Sequence, residues 1–98
     1  MTARMAIVAG MAASIAEALA LEMEQAEDDG HELADGIIAL CTLRGALMAR
    51  GLTTARRCQQ QIAMAAARKW HGEGVEPALL LRALYTTERA VALLEETS

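Results

Sequence analysis

RGLTTARRCQQQIAMAAARKWHG, the stretch from Arg50 to Gly72, has a glycine near each end and neither a proline nor an acidic residue between them. Ala55, Ile62, Ala66 and Trp70 recur in it at helical spacing, with Cys58 and Gln59 beside them. On the other side Arg57, Gln61, Met64 and Arg68 follow an i, i+4, i+7, i+11 row, which makes one continuous stripe on a helix. A half-buried strand would alternate polar and apolar residues with a period of two, and nothing here does. The spacing predicts a helix over about 53–71, capped by Thr53 or Thr54, with Gly51 ending the helix before it.

Working outward, the same period recurs on both sides. A first helix is expected from about residue 2, with Thr2 as N-cap, to about 27. Its large apolar residues Ile7, Val8, Met11, Ile15, Ala18 and Leu19 form one arc, and Ala9, Ala13, Ala16 and Ala20 line the opposite side. A helix apolar on both sides needs two covers, so the alanine row is read as the interface of a homodimer. Asp29, with Glu32 three residues on, has the form of a capping box opening a second helix over about 31–50. That helix would bury Leu33, Ile37, Leu40 and Leu47, with Cys41, Leu43 and Met48 on its flanks. Arg44 falls within this arc, where a charge is costly unless paired, so a structural ion pair with Glu17 or Glu88 is expected. Gly74-Val75-Glu76-Pro77 makes the last turn, with the proline at the first position of a helix over about 77–96. That helix would bury Leu80, Leu84, Val91 and Leu94, with Leu79, Leu81 and Leu93 spread around it. The expected fold is therefore all-α: a single domain over residues 1–98, an up-and-down four-helix bundle with short connections, in a dimer.

Composition agrees with this. The chain has no Phe, one Trp, one Tyr and one Pro, and its apolar content is mostly Ala, Leu, Met and Ile, which are mainly good helix formers. Two cysteines, Cys41 and Cys58, are too few for a disulfide framework, and staggered on a hairpin they lie too far apart to bond. Both are read as small buried hydrophobes in a reducing cytoplasm. Arg4 followed by the apolar run Met5 to Ala16 has the outline of a secretory signal. Glu17 interrupts the run, and Met5 to Leu21 is shorter than the roughly 20 apolar residues of a membrane span, so neither secretion nor membrane insertion is expected.

Charge is polarised along the chain. From Met5 to Leu43 there are eight acidic residues and no Lys or Arg, whereas Arg44 to Gly72 carries Arg44, Arg50, Arg56, Arg57, Arg68 and Lys69 and no acid, in a protein of net charge -4. Arg56 and Arg57 stand in a first helical turn, where the macrodipole disfavours cations by a few tenths of a kcal/mol. Folding alone does not ask for them there. Arg50, Arg56, Arg57, Gln60, Gln61 and Met64 are accordingly the candidate partner-binding residues.

No Ser-His-Asp arrangement, phosphate-binding glycine loop or zinc-type Cys/His spacing is present, so the chain is read as not an enzyme. Glu24-x-x-Glu27 followed by Glu32-x-x-Asp35 resembles the carboxylate pattern of the helical MazG-like nucleotide pyrophosphohydrolases. The resemblance implies magnesium on converging carboxylates and a metal-dependent nucleotide hydrolase. In that family the two pairs stand on successive helices with a much longer interval, whereas here they flank one tight turn. His31 and His71, with Asp28, Asp29 and Glu73, fall at one end of the bundle, where they are read as a solvated turn facing Arg68 and Lys69. No metal or other cofactor is expected. A second reading takes the helices around Gly51 as a helix-turn-helix-like DNA-binding regulator, with the helix at 53–71 reaching bases and phosphates. The net negative charge and the scarcity of aromatics disfavour nucleic acid. The leading expectation is a non-catalytic protein-protein interaction module: an adaptor, a secretion-type chaperone, or an inhibitor of a larger machine such as a phage-encoded antidefence protein. Over the chain as a whole, no family is recognisable from the residues.

Overall fold

The computed structural model describes residues 2–25, 31–69 and 77–96, and among them it forms four helices: α1 (Ala3–Gln25), α2 (His31–Ala49), α3 (Leu52–Lys69) and α4 (Pro77–Glu96). The all-α four-helix bundle expected from the periodicity is the observed fold, with helix ends within about two residues of their expected places. Each helix packs on its neighbours in the chain, α4 returns against α1 to close the ring, and α2 also touches α4 across the middle. The molecule measures 42 × 20 × 19 Å. Helices of 23 and 19 residues placed end to end would need about 60 Å, so α1 and α2 run antiparallel along the long axis. Thr2 caps α1 as expected: its hydroxyl accepts from the Met5 N–H at 3.2 Å and its carbonyl from the Ala6 N–H at 3.0 Å.

The α2–α3 corner is tighter than the glycine predicts. Arg50 N–H donates to Leu47 O at 3.4 Å and Gly51 N–H to Ala46 O at 2.8 Å, the paired bonds of a Schellman ending. It is Arg50, with φ 54°, that takes the left-handed conformation there, while Gly51 does not adopt a positive φ. Gly51 then caps α3, its carbonyl accepting from Ala55 N–H at 3.0 Å. This places Thr53 and Thr54 inside the first turn, where they cannot be the expected caps. The capping box at Asp29 and the turn from Gly74 lie outside the described residues.

The core corrects the two N-terminal helices. In α1 the buried row is Met5, Val8, Ala12, Ile15 and Leu19, with Ala9 and Ala16 beside it, while Ile7 points outward at 64% exposure. In α2 the buried residues are Gly36, Ala39, Leu40, Leu43, Ala46 and Leu47, with Ile37 partly buried and Cys41, Arg44 and Met48 exposed. Both helices are turned from the expected arc by up to about one residue's rotation of 100°. Among the described residues the inward sides carry no charged residue, whereas Arg4, Glu17, Asp35 and Arg44 are exposed, and alanines such as Ala12 and Ala39 fill the core between its larger side chains. Leu33 lies among the side chains outside the described residues. The two C-terminal helices follow expectation. Ala55, Cys58, Ile62 and Ala66 are buried in α3, and Leu80, Val91 and Leu94 in α4, with Leu84 partly so. α4 also buries Leu79 and Leu93, leaving Leu81 and Tyr85 as its large exposed apolar residues. Thr86 and Thr87 are fully buried, and their hydroxyls donate to Arg82 O and Leu84 O, both at 2.7 Å.

Candidate partner-binding surface

The outer face of α3 is the polar surface the sequence singles out, and it is assembled in the structure. Arg56, Arg57, Gln60, Gln61 and Met64 are all exposed on α3, and Arg50 is exposed at the corner that leads into it. The row continues toward Arg68, whose side chain lies outside the described residues. No acidic residue stands in the first turn of α3, so the positive end of its dipole and three guanidinium groups act in the same direction. Arg56 reaches Glu95 of α4 at 3.6 Å, with 58% and 52% of the two side chains exposed. Among the described residues neither Arg50 nor Arg57 forms an ion pair. The surface thus offers planar guanidinium forks, two amides and a thioether. That set matches an acidic, partly apolar protein surface, because a fork can take a carboxylate through two parallel hydrogen bonds.

The same geometry bears on the helix-turn-helix reading. α3, of 18 residues, is about 27 Å long. A body 20 × 19 Å across cannot hold it transversely, so it lies along α2. A DNA-reading helix pair crosses at roughly 90–120°.

The alanine row read as a dimer interface does not form a surface. Ala9 and Ala16 are core residues, Ala20 is partly buried and only Ala13 is exposed, because Ala9 and Ala16 share the inward side of α1 with Met5, Val8, Ile15 and Leu19. The expected pair of Arg44 with Glu17 or Glu88 is likewise absent among the described residues: all three are exposed, since the rotation of α2 carries Arg44 out of the core. Cys41 is exposed and only Cys58 is buried, both as free thiols. Loss of hydration pushes the Cys58 thiol pKa up, partly offset by a backbone hydrogen bond.

What sequence reasoning missed is the outward side of α1 and α2. Ile7 and Leu21 of α1 and Ile38 and Met48 of α2 are exposed by 59–64%. Gly10 and Gly45 lie on the same two helices, and a Cβ built at either meets nothing within 4 Å. A glycine inside a helix costs about 1 kcal/mol against alanine. Two such glycines in open positions were the available signal.

The acidic pairs Glu24/Glu27 and Glu32/Asp35, and the group of His31 and His71 with Asp28, Asp29 and Glu73, depend on positions outside the described residues. Among the described residues no three His, Cys, Asp or Glu side chains gather as a metal site would require. Ala3–Glu22 of α1 is long and apolar enough to cross a membrane by length and composition, with a mean hydropathy of 1.6. Comparison with family models, with curated proteins and with solved structures finds no match for this chain.

Proposed function

We propose that the protein is a non-catalytic helical module that binds another protein, engaging an acidic patch of it through the corner at Arg50 and the outer face of α3. The observation that carries this reading is an acid-free α3 in a chain of net charge -4, with Arg56, Arg57, Gln60, Gln61 and Met64 all exposed on one side of it. Arginines at a helix start work against the helix dipole, and an anionic partner offsets that cost. Opposite charge steers encounter and sets register, and the amides and Met64 supply the less polar contacts. Cys41, free and exposed, suits a reducing compartment such as the cytoplasm.

The test is affinity capture from extract of the source cells with the wild-type protein and with an Arg56→Glu/Arg57→Glu variant of unchanged helical content. A specific protein should be recovered by the wild type, released by salt, and lost with the variant. Equal recovery by both would remove α3 from the interface. Salt-sensitive binding of mixed duplex DNA instead would replace the reading with a nucleic-acid one.

A further inference from the structure

We infer that two copies of this chain associate through the outward side of α1 and α2, with the helix backbones closest at Gly10 and Gly45. Gly36 packs over Leu19, 3.7 Å separating its Cβ position from the Leu19 Cδ1. Because α1 and α2 run antiparallel, nine residues on from Gly36 and nine back from Leu19 bring Gly45 level with Gly10. By the same register Met48 stands level with Ile7, both largely exposed. The two helices therefore present two exposed glycines at one level, with Ile7 and Met48 toward one end and Ile38 toward the other. Nothing inside the monomer uses the missing side chains, since the space over both glycines is open. A backbone from outside could use it, because small residues let two helices approach closely.

Charge and size select a second copy as the occupant. Over their described length α1, α2 and the corner after them expose three acids, Glu17, Glu24 and Asp35, and three bases, Arg4, Arg44 and Arg50, so two identical faces meet without net repulsion. The acid-free face of α3 would repel its own copy. A long side of the molecule, 42 by 20 Å, bounds such a face at roughly 800 Å², about what one partner contributes to a standard interface. A face that must be complementary to itself is what a twofold dimer requires.

The experiment is light scattering on the full chain across a range of concentrations, for the wild type and for a Gly10→Gln/Gly45→Gln variant. Both substitutions enter open space and improve helix propensity, so at low concentration the variant should keep its helical signal and melt no lower than the wild type. The wild type should reach twice the 10.4 kDa chain mass, and the variant should need at least tenfold higher concentration to do so. As a second readout, Cys41, which lies on this face, should become protected from a bulky maleimide as wild-type concentration rises, and should stay reactive in the variant. A wild type that is monomeric throughout, or a dimer indifferent to the two glutamines, would overturn the inference. So would a monomer that cosediments with phosphatidylcholine vesicles, which would assign the face to a bilayer. The Arg56→Glu/Arg57→Glu variant must still dimerise. If it alone fails to, α3 is the dimer face, and this inference falls separately from the reading of α3.

Discussion

The α1–α2 half and the α3–α4 half of the bundle are built from the same helix-forming residues, yet they obey different rules. α3 and α4 are amphipathic: arginines, glutamines and glutamates occupy one side and the core occupies the other. α1 and α2 are apolar around nearly their whole circumference, so hydrophobic periodicity gives them almost no direction. What polarity they have still chooses the face. Arg4, Glu17, Asp35 and Arg44 lie outside, and the inward side mixes Ala12, Ala16, Gly36 and Ala39 with Met5, Ile15, Leu19 and Leu43, while Ile7, Ile38 and Met48 are exposed as well. A continuous polar face thus orients half of this molecule and a few scattered charges the other half.

The sharpest way to break this contrast compares two residues of α2. Leu43→Ala, at a fully buried site, should cost about 3 kcal/mol and lower the melting temperature by roughly 10–20 °C. Met48→Ala, at 63% exposure, should stay within about 0.5 kcal/mol in urea unfolding of dilute protein. Similar losses at both sites would mean that the assigned face of α2 is wrong. The glycines extend the comparison. Gly36 packs against Leu19 and Ile62, so Gly36→Leu should cost about 2 kcal/mol through overpacking. Gly45→Ala, in open space, should gain up to about 1 kcal/mol. The corner between the halves offers a third test. Arg50 holds a left-handed φ of 54°, a conformation that costs a residue with a Cβ roughly 1–2 kcal/mol. Arg50→Gly should therefore raise the melting temperature by about 5 °C.

The fold was legible in the sequence because four helical stretches separated by short glycine- or proline-marked breaks leave few arrangements open to them. The polar face of α3 was legible for the same reason that α3 is amphipathic: Arg57, Gln61 and Met64 mark a side that cannot be the core. The faces of α1 and α2 were not legible. An arc drawn through Ile7, Met11 and Ile15 counts large hydrophobes alone, whereas the core also takes Met5 and the alanines at 9, 12 and 16. The error propagated to Arg44, which a rotation of about one residue moves from core to surface. Identity was hidden too in the exchange at the corner, where arginine rather than the adjacent glycine takes the positive φ.

The buried thiol gives a test in pH. Cys58 has its pKa raised by burial, so the fold disfavours the thiolate. Its contribution to stability is complete below the ordinary thiol pKa of about 8.5 and is lost as pH rises through the higher folded value. Comparing urea midpoints of the wild type and Cys58→Ala between about pH 7.5 and 10 should show the wild-type advantage shrinking with pH. A constant gap would mean that the thiol ionises as freely inside the bundle as outside it.

The smallest expected effect bears most directly on the contrast between the halves. Arg56 and Glu95 lie 3.6 Å apart with more than half of each side chain exposed. Water and salt screen such a pair, and two long side chains lose rotamer freedom to hold it, so a double-mutant cycle with Arg56→Ala and Glu95→Ala should give a coupling of about 0.2–0.5 kcal/mol. The coupling should vanish in about 1 M salt, where the Debye length falls to roughly 3 Å. If it does, Arg56 adds little to the fold and its guanidinium is available to a partner, as the reading of α3 requires. A coupling above about 1.5 kcal/mol that survives salt would instead make Arg56 a structural link between α3 and α4. The candidate surface would then contract to Arg50, Arg57, Gln60, Gln61 and Met64, and the charged half would be held together partly by its charges.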